Sequence, residues 1–437
     1  MTTCTTNTPV KSPSNRDRQV IQGLIARNYD RMKAASHIVL RVKDVAAAKA
    51  FIAKCIPRIA TVDDDGAKSC LNIGFTFQGL SAFLEKEQRE ELARKVELQA
   101  FVRGAVDRAG LIGDVGLNAP RTWQGGLGES EKVHLLLSVF AEDLSILYKE
   151  VEKILADSAA GFEVISQNPC NQLPDGRIHF GYKDNISQPS IVGLRDNGDK
   201  QEASPAGAFV LGYPSQFTGH TYDYDFPAQL GFNGTFAAFR IMKQDVGRFE
   251  SYLTEHAIGS VSRELVAARL CGRWRDGTAL VVSPEAQIND PRNDFKYEGA
   301  ADSVCPFSSH VRRTNPRDDR VAGLSGRKHR IVRSTMPYGP PYDPVNNDYT
   351  EGAQNYQERG LIGLFLCVNL SDQFEFIMKN WVMRGNFNGN LPVTNSDPII
   401  GFHAFVQTRG AAYCFLPSKD GLQYLIDLKP KADSRTV

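Results

Sequence analysis

The sequence has no Cys-x-x-Cys pair, no long apolar run and almost no net charge. Each absence removes a class of protein. Its cysteines stand singly at positions 4, 55, 70, 170, 271, 305, 367 and 414. Zinc and iron–sulfur centres need ligands at short fixed spacings, and disulfide scaffolds are small and dense in cysteine. These thiols therefore read as buried side chains of a reducing compartment. Fifty-one basic against 50 acidic residues leave a formal charge of +1, so no global field recruits DNA, RNA or an anionic membrane. No stretch approaches the roughly 18 apolar residues of a membrane span. Residues 1–9 lack the apolar core of a secretory leader. The expectation is a cytoplasmic protein with neither nucleic-acid nor membrane partners. Its 437 residues, 42% hydrophobic and 23% charged, are enough for two or three domains with buried cores.

Along the chain, residues 1–20 are rich in Thr, Ser, Asn and Pro and read as a loose arm. One pattern then returns four times: an apolar strand, an acidic or polar break, and an amphipathic helix. The strands are 37–44, 133–143, 235–245 and 361–372, and they lead into helices 46–55, 144–155, 246–256 and 373–383. Asp44, Asp143, Asp245 and Asp372 stand at the helix starts, where a carboxylate accepts from free N–H groups and faces the positive dipole end. Further strands are expected at 70–77, 162–166, 209–213, 404–408 and 412–416. A further helix is expected over 263–271, with a loop over 272–277. Strand–helix units with antiparallel returns predict an α+β fold of two ferredoxin-like domains, 21–200 and 201–437. The boundary falls in the Gly/Pro/Asp-rich stretch 195–207. Helices should cover one face of each sheet, with the halves meeting at a cleft.

Two stretches carry chemistry. The first runs from 305 to 339 and presents His310, then Arg312, Arg313 and Arg317, and later Arg333 before a Met-Pro-Tyr-Gly turn. A neutral imidazole with several guanidiniums nearby suits an anionic cofactor whose metal takes one nitrogen ligand, a description that haem meets. His329, near Arg330 and Arg333, is the main rival ligand. The second stretch is His-Phe-Gly-Tyr-Lys-Asp-Asn-Ile-Ser-Gln-Pro over 179–189. Taken alone, Asp184 in this turn would most simply be an Asx-turn or capping residue.

In combination, Gly181-x-x-Asp184, Ser187-Gln188-Pro189, His310-Val-Arg-Arg-x-Asn-Pro-Arg317 and Arg333-x-x-x-Pro-Tyr-Gly339 resemble the dye-decolorising peroxidase family, its larger fungal-type branch in particular. Motifs such as Asn72–Leu80, Gly272-Arg-Trp274 and Thr408-Arg-Gly410 extend the resemblance over most of the chain. It implies two ferredoxin-like domains of the dimeric α+β barrel type, with one haem b in the cleft of the C-terminal half. The implied partners are hydrogen peroxide and a dye, phenol or other small electron donor, and homo-oligomerisation is left open. Residue by residue, His310 matches the iron ligand, Asp184 the carboxylate on the opposite face, Arg333 its partner arginine and Arg317 a position near a haem propionate. Asp397 is the candidate carboxylate behind His310. In such a site Asp184 takes a proton from peroxide and returns it to the leaving oxygen, while Arg333 stabilises the developing negative charge. A carboxylate base suits operation at lower pH than histidine does. Tyr338 and Trp381 are candidate relays for electrons from donors too bulky to enter. The chain departs from the family in reading Asp184-Asn185 where Asp-Gly is usual. That departure keeps two alternatives open: repurposed chemistry on the same fold, or a haem-binding protein that turns over slowly.

Overall fold

The computed structural model describes residues 11–26, 29, 31–64, 66–198, 201–318, 320–321, 324–343, 356–383 and 405–428. Eight strands form its sheet: β1 (Ala34–Val42), β2 (Ser69–Phe75), β3 (Leu135–Ala141), β4 (Phe162–Asn171), β5 (Thr235–Gln244), β6 (Val332–Tyr338), β7 (Gly360–Cys367) and β8 (Val406–Leu416). The order across the sheet is β4-β1-β3-β2-β8-β5-β7-β6, antiparallel throughout. It contains the same four-stranded order twice, the split βαβ arrangement of a ferredoxin-like unit. The halves join edge to edge where Phe75 of β2 pairs with Phe415 of β8. The fold class is as the sequence predicts, but one sheet runs through both halves.

Three of the four repeats begin as their capping residues dictate. Asp44, Asp143 and Asp245 accept from the backbone N–H of Ala47, Ile146 and Arg248, opening α1 (Val45–Cys55), α2 (Leu144–Ser158) and α3 (Val246–Glu255). The fourth differs. Asn369 is the cap, accepting from the Asp372 N–H, and the chain turns in wide π-type coils over Leu370–Glu375 and Ile377–Val382. Asp372 instead accepts from the Tyr222 hydroxyl. Two strand expectations also change. Residues 209–213 are buried turns, because Gly212 takes φ +95 and Leu211 bonds to Gly234 in place of a neighbouring strand. The two expected strands 404–408 and 412–416 are one strand, β8, with a register shift between Thr408 and Gly410. Within the expected loose arm, Asn15–Arg18 forms a short helix with a capping box, and Arg18 bonds to Asp63 and the Gly193 carbonyl. Residues 1–10 lie outside the described residues.

The core is continuous across the halves, and two ion pairs cross between them, the first buried and the second partly so. Arg240 on β5 meets Asp114 through both guanidinium nitrogens, at 2.5 and 2.8 Å. Arg108, closing the helix Gln99–Arg108, pairs with Glu375. The helix α4 (Arg263–Cys271) ends at Gly272, which takes the left-handed conformation at φ +88. A β-carbon there would stand 2.4 Å from Val311, so only glycine lets the His310 segment pack this closely.

Candidate active site

His310 opens a short helix, α5 (His310–Thr314), preceded by the fully buried Ser309. Neighbouring arginines hold this helix from below. Arg312 donates to the Cys305 carbonyl at 2.5 Å and stands over the Phe307 ring at 4.0 Å, while Arg313 reaches the carbonyls of Trp381 and Val382. Their adjacent guanidiniums therefore hold loops in place and leave the imidazole to face elsewhere. His310 lies deep in the protein and is half-buried by accessible surface. Burial pushes its imidazole down to about 4, the Arg333 charge pushes the same way, and the Asp184 carboxylate pulls against both. The ring is thus neutral at pH 7, the form that binds a metal. Asp184 and Arg333, far from residue 310 in sequence, therefore both lie near enough to act on its charge.

Asp184 is placed by its loop. Phe180 and Tyr182 point into the core, where Phe180 packs on Phe249 at 4.5 Å and the Tyr182 hydroxyl donates to the Ala267 carbonyl at 2.7 Å. Between them Gly181 takes φ +84, and after them Asn185 takes φ +63. The carboxylate of Asp184 then meets two donors: the Asn185 N–H reaches Oδ1 and the Thr335 hydroxyl reaches Oδ2, each at 2.7 Å. Thr335 stands two residues beyond Arg333 on β6, so both side chains leave the same face of the strand. The loop carrying Asp184 is thereby tied to the strand carrying Arg333. Gln188, buried, bonds both the N–H and the carbonyl of Arg333. Thr335 and Gln188 have no role in the sequence reading. The i, i+2 spacing from Arg333 is the signal that would have found Thr335.

Another cation, Arg273, joins the region. Arg273 is buried, and burial together with the charges of Arg317 and Arg333 pushes its guanidinium down to about 10. Its described acceptors are uncharged: the carbonyls of Gly277 and Arg292, and Asn293 Oδ1. A cation this poorly solvated is stabilised by an anionic ligand.

No family model matches the chain. A dye-decolorizing peroxidase of Mycena epipterygia is 29% identical over 400 residues, covering 82% of this chain and 71% of that protein. One from Auricularia auricula-judae is 32% identical over 297 residues, 62% of this chain and 53% of its own. Among solved structures, a dye-decolorizing peroxidase in complex with 2,6-dimethoxyphenol superposes with a TM-score of 0.80 at 25% identity, covering 94% of this chain and 99% of that one. Over most of its length the chain is similar to dye-decolorizing peroxidases in sequence and in fold.

Against the family pattern the remaining candidates fall in three groups. Arg317 is buried near Arg273, but its guanidinium donates to the Asn293 and Phe295 carbonyls and lies 3.9 Å over the Phe295 ring. Asp397 lies outside the described residues. Tyr338 ends β6, half-buried, with its hydroxyl on Glu358 at 2.7 Å, and Glu358 in turn pairs with Arg409. Trp381 is not a surface residue as a relay to bulky donors would suggest. It is 3% exposed and packs edge-on against His329 and Phe376. His329, the rival ligand, stacks flat on Phe376 at 3.6 Å and bonds through Nδ1 to the Asp372 carbonyl. His37 and His134 serve the sheet through Ser138 and Val42, and His179 bonds the Tyr338 carbonyl.

Proposed function

We propose that the chain reduces hydrogen peroxide and oxidises dyes, phenols or similar donors on a haem held by His310, with Asp184 and Arg333 acting on the peroxide. The observation that supports this best is that the Asp184 loop is bonded to the strand of Arg333 through Thr335 and Gln188, with both Asp184 and Arg333 near enough to act on His310. The residues fit the group. A neutral imidazole offers one nitrogen to iron, and the strained cation at Arg273 suits a porphyrin's carboxylates. Haem b is the form proposed, since no Cys-x-x-Cys-His stretch offers covalent attachment. When bound, the haem supplies the redox centre that takes up the oxidising equivalents of peroxide.

The chain's own residues do the rest. Asp184, fixed by the Asn185 N–H and the Thr335 hydroxyl, takes a proton from the near oxygen of peroxide and delivers it to the departing one. Arg333 stays cationic and stabilises the charge that develops as the O–O bond breaks. Tyr338 is the better placed of the two relay candidates, because Glu358 can receive its phenolic proton. The division into two domains near residue 200 and the cytoplasmic setting, both expected from the sequence, belong to the same proposal. Seven described cysteines are free and buried, and no described helix is long and apolar enough to cross a membrane.

Stopped-flow mixing of haem-loaded protein with peroxide tests the assignment. Arg333→Ala should slow the peroxide step by about 10²–10³, the loss typical of one preorganised donor. Asp184→Asn should slow it by no more than Arg333→Ala does. Parent-like kinetics in Arg333→Ala would remove Arg333 from the mechanism.

A further inference from the structure

The peroxidase reading assigns no part to Asn185, and in family terms it stands where glycine would. Its surroundings argue for a part. The strand β6 is the edge of the sheet, so the outward N–H and C=O of Arg333 have no strand beside them. Gln188 fills that place. Its Oε1 accepts from the Arg333 N–H at 3.2 Å and its Nε2 donates to the Arg333 carbonyl at 2.5 Å. These two bonds fix which end of the amide is oxygen. One N–H of Nε2 is left over, on a side chain 3% exposed, and a buried N–H without an acceptor is costly. Asn185 Oδ1 accepts it at 2.9 Å. At φ +63 glycine would be the easiest residue, but glycine has no oxygen to offer. The Gln188 backbone is held as well, by the Asn197 side chain on its carbonyl at 2.7 Å.

We propose that Asn185 is a positioning residue for the peroxide step: its side-chain oxygen orients the Gln188 amide, which clamps the Arg333 backbone and so sets the reach of its guanidinium, which lies 3.4 Å from the Ser187 carbonyl. This rests on the peroxidase reading for its catalytic consequence, but the clamp itself needs no cofactor. One loop segment then controls both catalytic side chains. Asp184 is held by the backbone N–H of Asn185, and Arg333 is held through the Asn185 side chain and Gln188.

The test compares Asn185→Gly, which suits the turn and removes only the acceptor, with Asn185→Asp, which keeps an oxygen there. Amide hydrogen exchange at Arg333 is read in the protein without haem, and the second-order constant for peroxide in the haem-loaded protein. In Asn185→Gly, exchange at Arg333 should rise and the peroxide constant should fall, each by about three- to tenfold, while the KM for the electron donor is unchanged. Asn185→Asp should stay within about twofold of the parent in both, because the acceptor is retained. Unchanged exchange in Asn185→Gly would overturn the clamp. Faster exchange with an unchanged peroxide constant would overturn the positioning role. A protein that takes up no haem would refute the peroxidase reading, and the exchange measurement would still decide the clamp.

Discussion

Thr335→Val isolates the tie between the two catalytic elements. Valine keeps the shape and the β-branch of threonine, so β6 is undisturbed, and it deletes the hydroxyl that donates to Asp184 Oδ2 at 2.7 Å. The carboxylate is left with one donor, the Asn185 N–H on Oδ1. A hydrogen bond to a charged group contributes about 1.5–3 kcal/mol. Thr335 and Asp184 both keep solvent contact, which puts the loss at the bottom of that range. A loss of about 1.4 kcal/mol in holding the carboxylate productively corresponds to about tenfold in rate. Stopped-flow measurement should therefore give a peroxide constant about tenfold below the parent's, with the donor KM unchanged. Thr335→Ser, which keeps the hydroxyl, should restore most of it. If Thr335→Val reacts with peroxide as the parent does, the hydroxyl is not what orients Asp184, and the link between loop and strand is only architectural.

Three further outcomes follow from the structure. Asp114→Ala leaves Arg240 charged and 4% exposed without its carboxylate, so denaturant unfolding should show a loss of about 3–5 kcal/mol, and adding Arg240→Met should recover much of it; a loss below about 1 kcal/mol would contradict this. His37 is 2% exposed, and burial pushes its imidazole down to about 4. Below the unfolded value of about 6.5 the unfolded chain binds the extra proton, so stability is intact above that pH and falls as pH drops toward 4, by up to about 3 kcal/mol. His37→Gln should flatten that slope, and an identical slope would assign it to other groups. Tyr338→Phe should reduce turnover of bulky dyes while leaving the peroxide step as it is, whereas Trp381→Phe, deep in its aromatic packing, should change dye turnover less. Equal losses from both would contradict that ranking.

Much of the fold is legible in the sequence, because local rules and the global fold agree. Alternating apolar strands ending in an aspartate that caps the next helix mark three repeats correctly. The fourth fails because Asn369, three residues before Asp372, is an equally good cap, and a capping residue cannot announce the wide coils that follow it. Residues 209–213 fail because apolar content alone does not separate a strand from a buried turn, and Gly212 sets the turn. The motif residues bring Asp184 and Arg333 to notice, yet the parts of Thr335 and of Gln188, which stands inside a motif, stay hidden. Their partners are 151 and 145 positions away, so only the folded chain brings them together.

The most direct test of the central claim is the absorption spectrum of the purified protein supplied with haem, before and after one equivalent of peroxide, beside His310→Ala. The parent should take up haem with one strong porphyrin band that shifts within the mixing time on adding peroxide, and His310→Ala should lose that response. A parent that stays colourless, or a His310→Ala variant that binds haem and responds as the parent does, would contradict the account.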